Sequence, residues 1–339
     1  MSALDTSGGP GQPGLALVSR FGRLQTRFPL IQLLCVFVAF AIGAATLPGL
    51  ASWPSGKIIL VLASLAGIAA VGQTLLILMG GFDLSIAGIV VASALIVTQV
   101  AAEWGVSFGV ALLAALGGAA VLGALAGQVC HRFNIQPLIV TLATGTIAVG
   151  LAQTQTPTGV TYGAGAPRWL VDLASPSGKT FGVNIPPLVV IWILATIAMT
   201  IFLHRTVAGR RLLATGANQG AANYALINTR RVWTATFVFS ACVSVFLGLA
   251  VAGFGGAITT SSGNPYMFQS VIVVILGGTI FGGPGDYIRT VVGALFFTVV
   301  GVVLVGHGAT EADQQIVFGI ALLAIVFFYG RERRIRDRV

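Results

Sequence analysis

Two places in the chain hold residues of a type that could do chemistry. Ser177–Thr180 reads SGKT, the residues that close a phosphate-binding loop, and Asp83 is a carboxylate flanked on both sides by apolar sequence. The first fails on spacing. A phosphate loop needs a glycine five residues before Gly178, and Leu173 stands there. The second has two readings. A carboxylate among apolar spans can carry a proton or a cation. It can also, with Ser85, cap the helix that follows by accepting its free N–H groups, Gly80 and Gly81 letting the backbone turn. An ionised carboxylate at the centre of a bilayer costs from about 3 kcal/mol upward. Asp83 is therefore expected at the end of a span or paired within the protein. The remaining reactive residues are scattered. The 9 acidic residues form no carboxylate pair, and His131, His204, His307, Cys35, Cys130 and Cys242 have no metal-ligand spacing. No metal, cofactor, disulfide framework or catalytic constellation is expected, and any energy from ATP must come from another polypeptide.

The elements that position these residues are membrane spans. Of 339 residues 56% are hydrophobic and only 8% charged, and the mean hydropathy is +0.96. Apolar runs near the roughly 20 residues that cross a bilayer recur along the chain. Breaks between them predict spans at 29–48, 58–79, 84–102, 106–129, 137–153, 187–203, 232–252, 271–284, 288–306 and 315–329. The fold class expected is all-α, a polytopic transmembrane bundle of about ten spans. Short inward loops carry the excess of Lys and Arg. With both termini cytoplasmic, only Lys57, Arg168 and Lys179 of the 18 basic residues fall outside. The net charge of +9 fits this asymmetry. No basic face interleaved with exposed aromatics points to nucleic acid, and membrane lipid is the expected partner of the surface charge. Residues 1–27 read as a basic cytoplasmic tail without a signal-peptide core, 28–330 as the transmembrane domain, and 331–339 as a second basic tail.

Between two of these spans lies His204–Arg231, an island of basic and polar residues that hydrocarbon cannot hold. A short helix begun at Asn218, with Ala221, Ala222, Ala225 and Leu226, would offer a small apolar face to a partner, beside Arg210, Arg211, Arg230 and Arg231. Ile275–Asp286, ILGGTIFGGPGD, reads as a shortened or broken span, irregular backbone being tolerated only where protein or a water-filled cavity covers it, and equally as an ordinary tight turn between helices. Glycines and alanines in 105–127 and 291–306 allow close helix approach. Gln73, Thr74, Asn264, Tyr266 and Gln269 interrupt apolar runs; they are candidates for contact with a neutral solute and equally for interhelical hydrogen bonds. The external loop 154–186, with Tyr162, Arg168, Trp169, Asp172 and Lys179, is a candidate docking surface for a solute-binding protein.

At three of these stretches the chain resembles the ribose-type permeases, the membrane subunits of bacterial ATP-binding-cassette importers for monosaccharides. GGFDLSI, with Gly80, Gly81, Asp83, Leu84 and Ser85, is close to the family signature, and Ala87 stands where a glycine is usual. In the polar loop Thr206, Gly209, Arg210, Ala214, Gly216, Asn218, Ala221, Ala222, Ile227, Asn228, Arg231 and Val232 fall on the family pattern. VVILGGTIFGGPGDYIRTVVGALF carries the third stretch, with Gly277, Gly278, Gly282 and Gly283, and Asp286 where a small residue is usual. The resemblance implies a protein of the bacterial inner membrane that works with cytoplasmic ATPase subunits, a second permease subunit, identical or different, and a periplasmic solute-binding protein. The ATPase-coupling residues would be Arg210, Gly216, Asn218, Ala221, Ala222, Ile227 and Arg231. One departure is NQGAA at 218–222, where relatives commonly carry acidic residues after the asparagine. The same architecture could serve branched-chain amino acids or nucleosides, and a secondary transporter driven by an ion gradient is the alternative from another class.

Overall fold

The computed structural model of the chain describes residues 29–155, 166–256 and 258–336. The expected tail 1–27 and Tyr162 lie outside the described residues. Thirteen helices follow in order among them. They are α1 (Leu30–Thr46), α2 (Trp53–Leu78), α3 (Ile86–Leu95, continued through a π-helical turn, Ile96–Val100, to Glu103), α4 (Phe108–Phe133), α5 (Pro137–Gln155), α6 (Arg168–Ala174) and α7 (Pro187–Arg205). After α8 (Val207–Ala217) and α9 (Gln219–Tyr224) come α10 (Thr229–Gly255), α11 (Asn264–Leu276), α12 (Tyr287–Gly306) and α13 (Glu311–Arg336). An isolated β-bridge joins Thr180 and Val183.

Seven of the described helices are long and apolar enough to cross a membrane: α2, α3 with its continuation, α4, α5, α7, α10 and α12. α1 and α11 are apolar but shorter, at 17 and 13 residues. α2 is apolar all round, and such a helix belongs inside a bundle. In the span windows of α2, α3 and α10, 83%, 78% and 67% of residues are buried, against 22% in α4 and 28% in α7. α2 and α3 thus form the axis, α10 packs along both, α11 and α12 flank α2, and α4, α5 and α7 lie outside.

Small residues set how closely these helices meet. A Cβ at Gly67 in α2 would enter the Trp192 ring of α7, and one at Gly88 in α3 would enter the Gly145 carbonyl of α5. Gly123 and Gly127 of α4 are filled in the same way by the backbone of α10. Such contacts supply the van der Waals packing that drives helix association where apolar burial does not. Polar side chains tie the axis as well. The Tyr287 hydroxyl donates to the Gly67 carbonyl at 2.7 Å and receives the Trp192 indole N–H at 3.1 Å.

Around the expected span 271–284 the structure has a short apolar helix followed by turns, with other bounds. The helix is Asn264–Leu276, seven residues earlier than 271–284, because Pro265 is tolerated in a first turn and Gly277–Gly278 ends the run. Asn264, Tyr266 and Gln269 therefore lie on a helix. Residues 277–286 form non-helical turns, and Asp286 caps α12 by accepting the Arg289 N–H at 2.8 Å. α13 carries helical backbone through 331–336 of the expected C-terminal tail.

Candidate functional site

The chain leaves α2 by turning on Gly80, whose φ of +84° suits glycine and few other residues. The Gly80 and Gly81 N–H groups return to the carbonyls of Ile77 and Leu76, each at 2.9 Å, closing the helix end. Residues 81–84 then re-enter the bundle without helical structure, so that the Asp83 N–H reaches the Gln73 side-chain oxygen at 3.1 Å. Helical backbone resumes at Ile86.

Asp83 is 1% exposed. Its Oδ1 accepts the Ser85 N–H at 2.8 Å and the Ser85 hydroxyl at 2.6 Å, while Oδ2 accepts the Ser240 hydroxyl of α10 at 2.9 Å. The neighbouring Leu84 N–H donates to the Thr141 hydroxyl of α5 at 3.0 Å. The carboxylate is thus paired within protein, the second of the two expected placements. It does not make the helix-cap bond to an N–H of the first turn of α3; it holds the residue that starts the helix. One knot joins α2, α3, α5 and α10. A buried hydrogen-bonding group left without its partner costs about 1–3 kcal/mol, and Asp83 is closed to solvent.

A second feature lies at the end of α2. α8 begins with Thr206 accepting the Gly209 N–H at 3.0 Å and ends at Ala217. One residue before that end, a Cβ on Gly216 would enter the Leu78 carbonyl. Gly282, from the turn after α11, donates its N–H to the Ile77 carbonyl at 2.9 Å, and a Cβ there would lie 3.1 Å from the Gly216 carbonyl. Gly80 faces Gly282 at 3.9 Å by the same measure. The three stretches with family character, remote in sequence, therefore meet backbone to backbone at one point.

Beyond Gly216 a short helix starts after Asn218 but ends at Tyr224, short of Ala225 and Leu226. Asn218 caps α9 by accepting the Ala221 N–H at 2.9 Å, and Asn228 caps α10 by accepting the Arg231 N–H at 3.0 Å. Arg210, Arg211, Arg230 and Arg231 are exposed. Ala222 is buried against the body, whereas Ala221, Ala225 and Leu226 face outward, so Ala222 is no part of the outward face. Tyr224, which the sequence reading passed over, is 92% exposed and Leu226 94%. Leu226 has a φ of +60°, which turns the chain sharply out of α9, and Ile227, half-buried, closes it with an N–H to the Ala222 carbonyl at 3.0 Å.

The five candidates for solute contact are not brought together. Gln73 and Thr74 are buried in α2, the first bonded to Asp83 and the second to Thr290 at 3.0 Å. Asn264, Tyr266 and Gln269 are exposed or half-buried on α11. Of the expected external surface, Trp169 stacks edge-on against Phe108 at 4.9 Å, and Leu170 is buried where a Cβ on Gly253 would meet its carbonyl. No group of three or more His, Cys, Asp or Glu that could hold a metal occurs among the described residues.

The sequence has known relatives. Residues 57–326 match the family model described as branched-chain amino acid transport system / permease component. The chain belongs to that permease family. It is 27% identical over 283 residues to the fructose import permease protein FrcC of Rhizobium meliloti, covering 80% of this chain and 76% of the relative. It is 30% identical over 265 residues to the galactofuranose transporter permease protein YtfT of Escherichia coli, covering 76% and 74%. It is 29% identical over 261 residues to the ribose import permease protein RbsC of Bacillus subtilis, covering 77% and 80%. No solved structure matches the chain. The family match takes in the Gly80–Ser85 turn, the polar loop and the 277–286 turns.

Proposed function

We propose that this permease is the membrane-spanning subunit of an ATP-driven importer for a small neutral solute, a monosaccharide, in the bacterial inner membrane. It crosses the membrane about ten times with both termini cytoplasmic, pairs with a second permease subunit, and receives its solute from a periplasmic binding protein. ATP is hydrolysed by separate cytoplasmic subunits. The observation that carries this reading is the build of the polar loop. A short capped helix carries Tyr224 and leads into Leu226, both almost fully exposed amid arginines, and Gly216 in the helix before it sits on the last carbonyl of the central helix. Tyrosine, arginine and exposed apolar side chains are the composition of a protein interface core, and acidic groups or lipid phosphates would complement the arginines.

In this mechanism, closure of the ATPase subunits moves α9, α8 transmits the movement to the end of α2, and the bundle tilts between inward- and outward-open forms. The monosaccharide rests on the relatives, whose names specify fructose, galactofuranose and ribose. The family description also covers branched-chain amino acid systems, which makes a zwitterion the second reading. Ligand screening of the cognate binding protein separates the two. The importer reading itself is tested by deleting 212–228 and measuring uptake in sealed vesicles with and without the ATPase subunits. Abolished ATP-dependent uptake with retained membrane insertion is expected, and uptake that persists without any ATPase overturns the reading.

A further inference from the structure

At the end of the bundle that carries the polar loop, the last turn of α4, the end of α9 and the first turn of α10 enclose a cleft of about 410 Å³. One wall is apolar, made by Leu226 and Ile227, and the other carries His131, Asn223, Asn228, Thr229 and Arg230. Hydrogen bonds within the polar wall decide what it can offer. Asn228 Oδ1 accepts the Arg231 N–H at 3.0 Å, and Asn223 Oδ1 accepts the Thr229 hydroxyl at 2.9 Å. Thr229, 2% exposed and donating to Asn223, is left to accept from His131 Nε2 at 3.1 Å. These three side-chain oxygens are thereby engaged, and the amide N–H groups of Asn223 and Asn228 remain as donors. Beside them the exposed Arg230 reaches only the neutral Gln128 side chain among the described residues, at 3.3 Å. No Asp or Glu occurs in 128–136 or in 204–231. The cleft therefore presents a cation and two amide donors without a counter-charge of its own.

We infer that this cleft receives an acidic side chain of the ATPase subunit, its carboxylate against Arg230, Asn223 and Asn228 and an apolar neighbour against Leu226 and Ile227. The inference rests on the importer reading and adds a point of attachment to it. An ionised carboxylate has acceptors alone, which is what the wall leaves open, and a guanidinium pairs with it through two parallel hydrogen bonds. A protein supplies it, because Leu226, on the cleft wall, is 94% exposed and Tyr224, two residues earlier, is 92% exposed. A partner that covers Tyr224 and Leu226 reaches the cleft as well. Once covered, the pair is shielded from water, and truncating one member of such a pair costs far more than removing a charge at the rim.

The experiment uses the full-length chain in nanodiscs containing phosphatidylglycerol and the purified cognate ATPase subunits, with affinity read by titration. Arg230→Gln removes the charge of an exposed side chain and is expected to fold. Asn223→Asp is isosteric, keeps an oxygen for Thr229 and sets a carboxylate inside the cleft. Arg132→Gln, exposed in the last turn of α4 and outside the lining, is the control of equal charge. Arg230→Gln and Asn223→Asp should each weaken binding at least about tenfold, and Arg132→Gln less than about twofold. Binding lost in Arg230→Glu should return when one Asp or Glu of the ATPase subunit is changed to Arg, which names the occupant. Equal affinity in wild type and Asn223→Asp would overturn the inference, as would equal losses in Arg230→Gln and Arg132→Gln, which would reduce the effect to overall charge. Loss of phosphatidylglycerol from Arg230→Gln in native mass spectrometry, with ATPase affinity unchanged, would overturn it in favour of a lipid headgroup. A wild-type chain that binds no ATPase subunit would instead remove the importer reading, and this inference with it.

Discussion

Asp83 and Tyr224 belong to the two most strongly patterned stretches of the chain, and their surroundings are opposite. Asp83 is charged by type and sits at 1% exposure with three donors from Ser85 and Ser240. Tyr224 is aromatic and sits at 92% exposure on a helix of six residues. Residue type alone would have exchanged these positions. The inversion separates two kinds of constraint. A buried polar group must be answered inside the protein, so its role is to hold helices in register, whereas an aromatic group left in solvent is answered by another molecule. Gly216 connects the two regions through its close approach to the Leu78 carbonyl.

The contrast breaks most strongly at Asp83. Asp83→Ala leaves the Ser85 N–H, the Ser85 hydroxyl and the Ser240 hydroxyl without their acceptor, at about 1–3 kcal/mol for each orphaned group. Loss of folded protein in detergent, followed by fluorescence-detected gel filtration, is the expected result. A variant as stable as wild type would mean that the knot holds nothing.

Gly216→Val forces α8 away from the Leu78 carbonyl, an overpacking that costs about 1–3 kcal/mol. ATPase subunits should still copurify, because α9 is untouched, while ATP-dependent uptake falls. Retained uptake would remove Gly216 from the transmission path. Tyr224→Ala should do the reverse. Its thermal unfolding should stay within about 0.5 kcal/mol of wild type, as for an exposed surface substitution. Loss of an interface tyrosine costs about 2 kcal/mol of binding or more, roughly a thirtyfold weakening, measurable by titration of the purified ATPase subunits. Asn218→Ala is the mildest, with about 1 kcal/mol lost from the cap of α9. It should show as faster amide exchange at Ala221 and Ala222, with none at Asp83.

Much of the helical frame was legible from hydropathy, and its errors are instructive. The run predicted at 58–79 is helix from Trp53, because Ser52 caps it by accepting the Ser55 N–H and Pro54 is harmless in a first turn. The run at 271–284 failed because continued hydrophobicity past Leu276 masked the break that Gly277 and Gly278 impose. At the candidate site, the caps at Asn218 and Asn228 could be read locally, since a cap depends on residues three positions away. The meeting of Gly80, Gly216 and Gly282 could not, because each contact crosses scores of residues and glycine has no side chain to advertise a partner. Gln73, polar in an apolar run, suits a solute contact and an interhelical hydrogen bond alike; its oxygen serves the Asp83 N–H, and its Nε2 finds no acceptor among the described residues. Tyr224 carried a readable signal after all, as the single aromatic residue of 204–231.

The junction of Gly80, Gly216 and Gly282 has one further implication. Where main chain bears directly on main chain, no rotamer stands between the two parts to flex and absorb travel. A displacement at the base of α8 would reach α2 with little damping, so the stroke delivered to the bundle would be set by the geometry of the joint and hardly at all by its compliance.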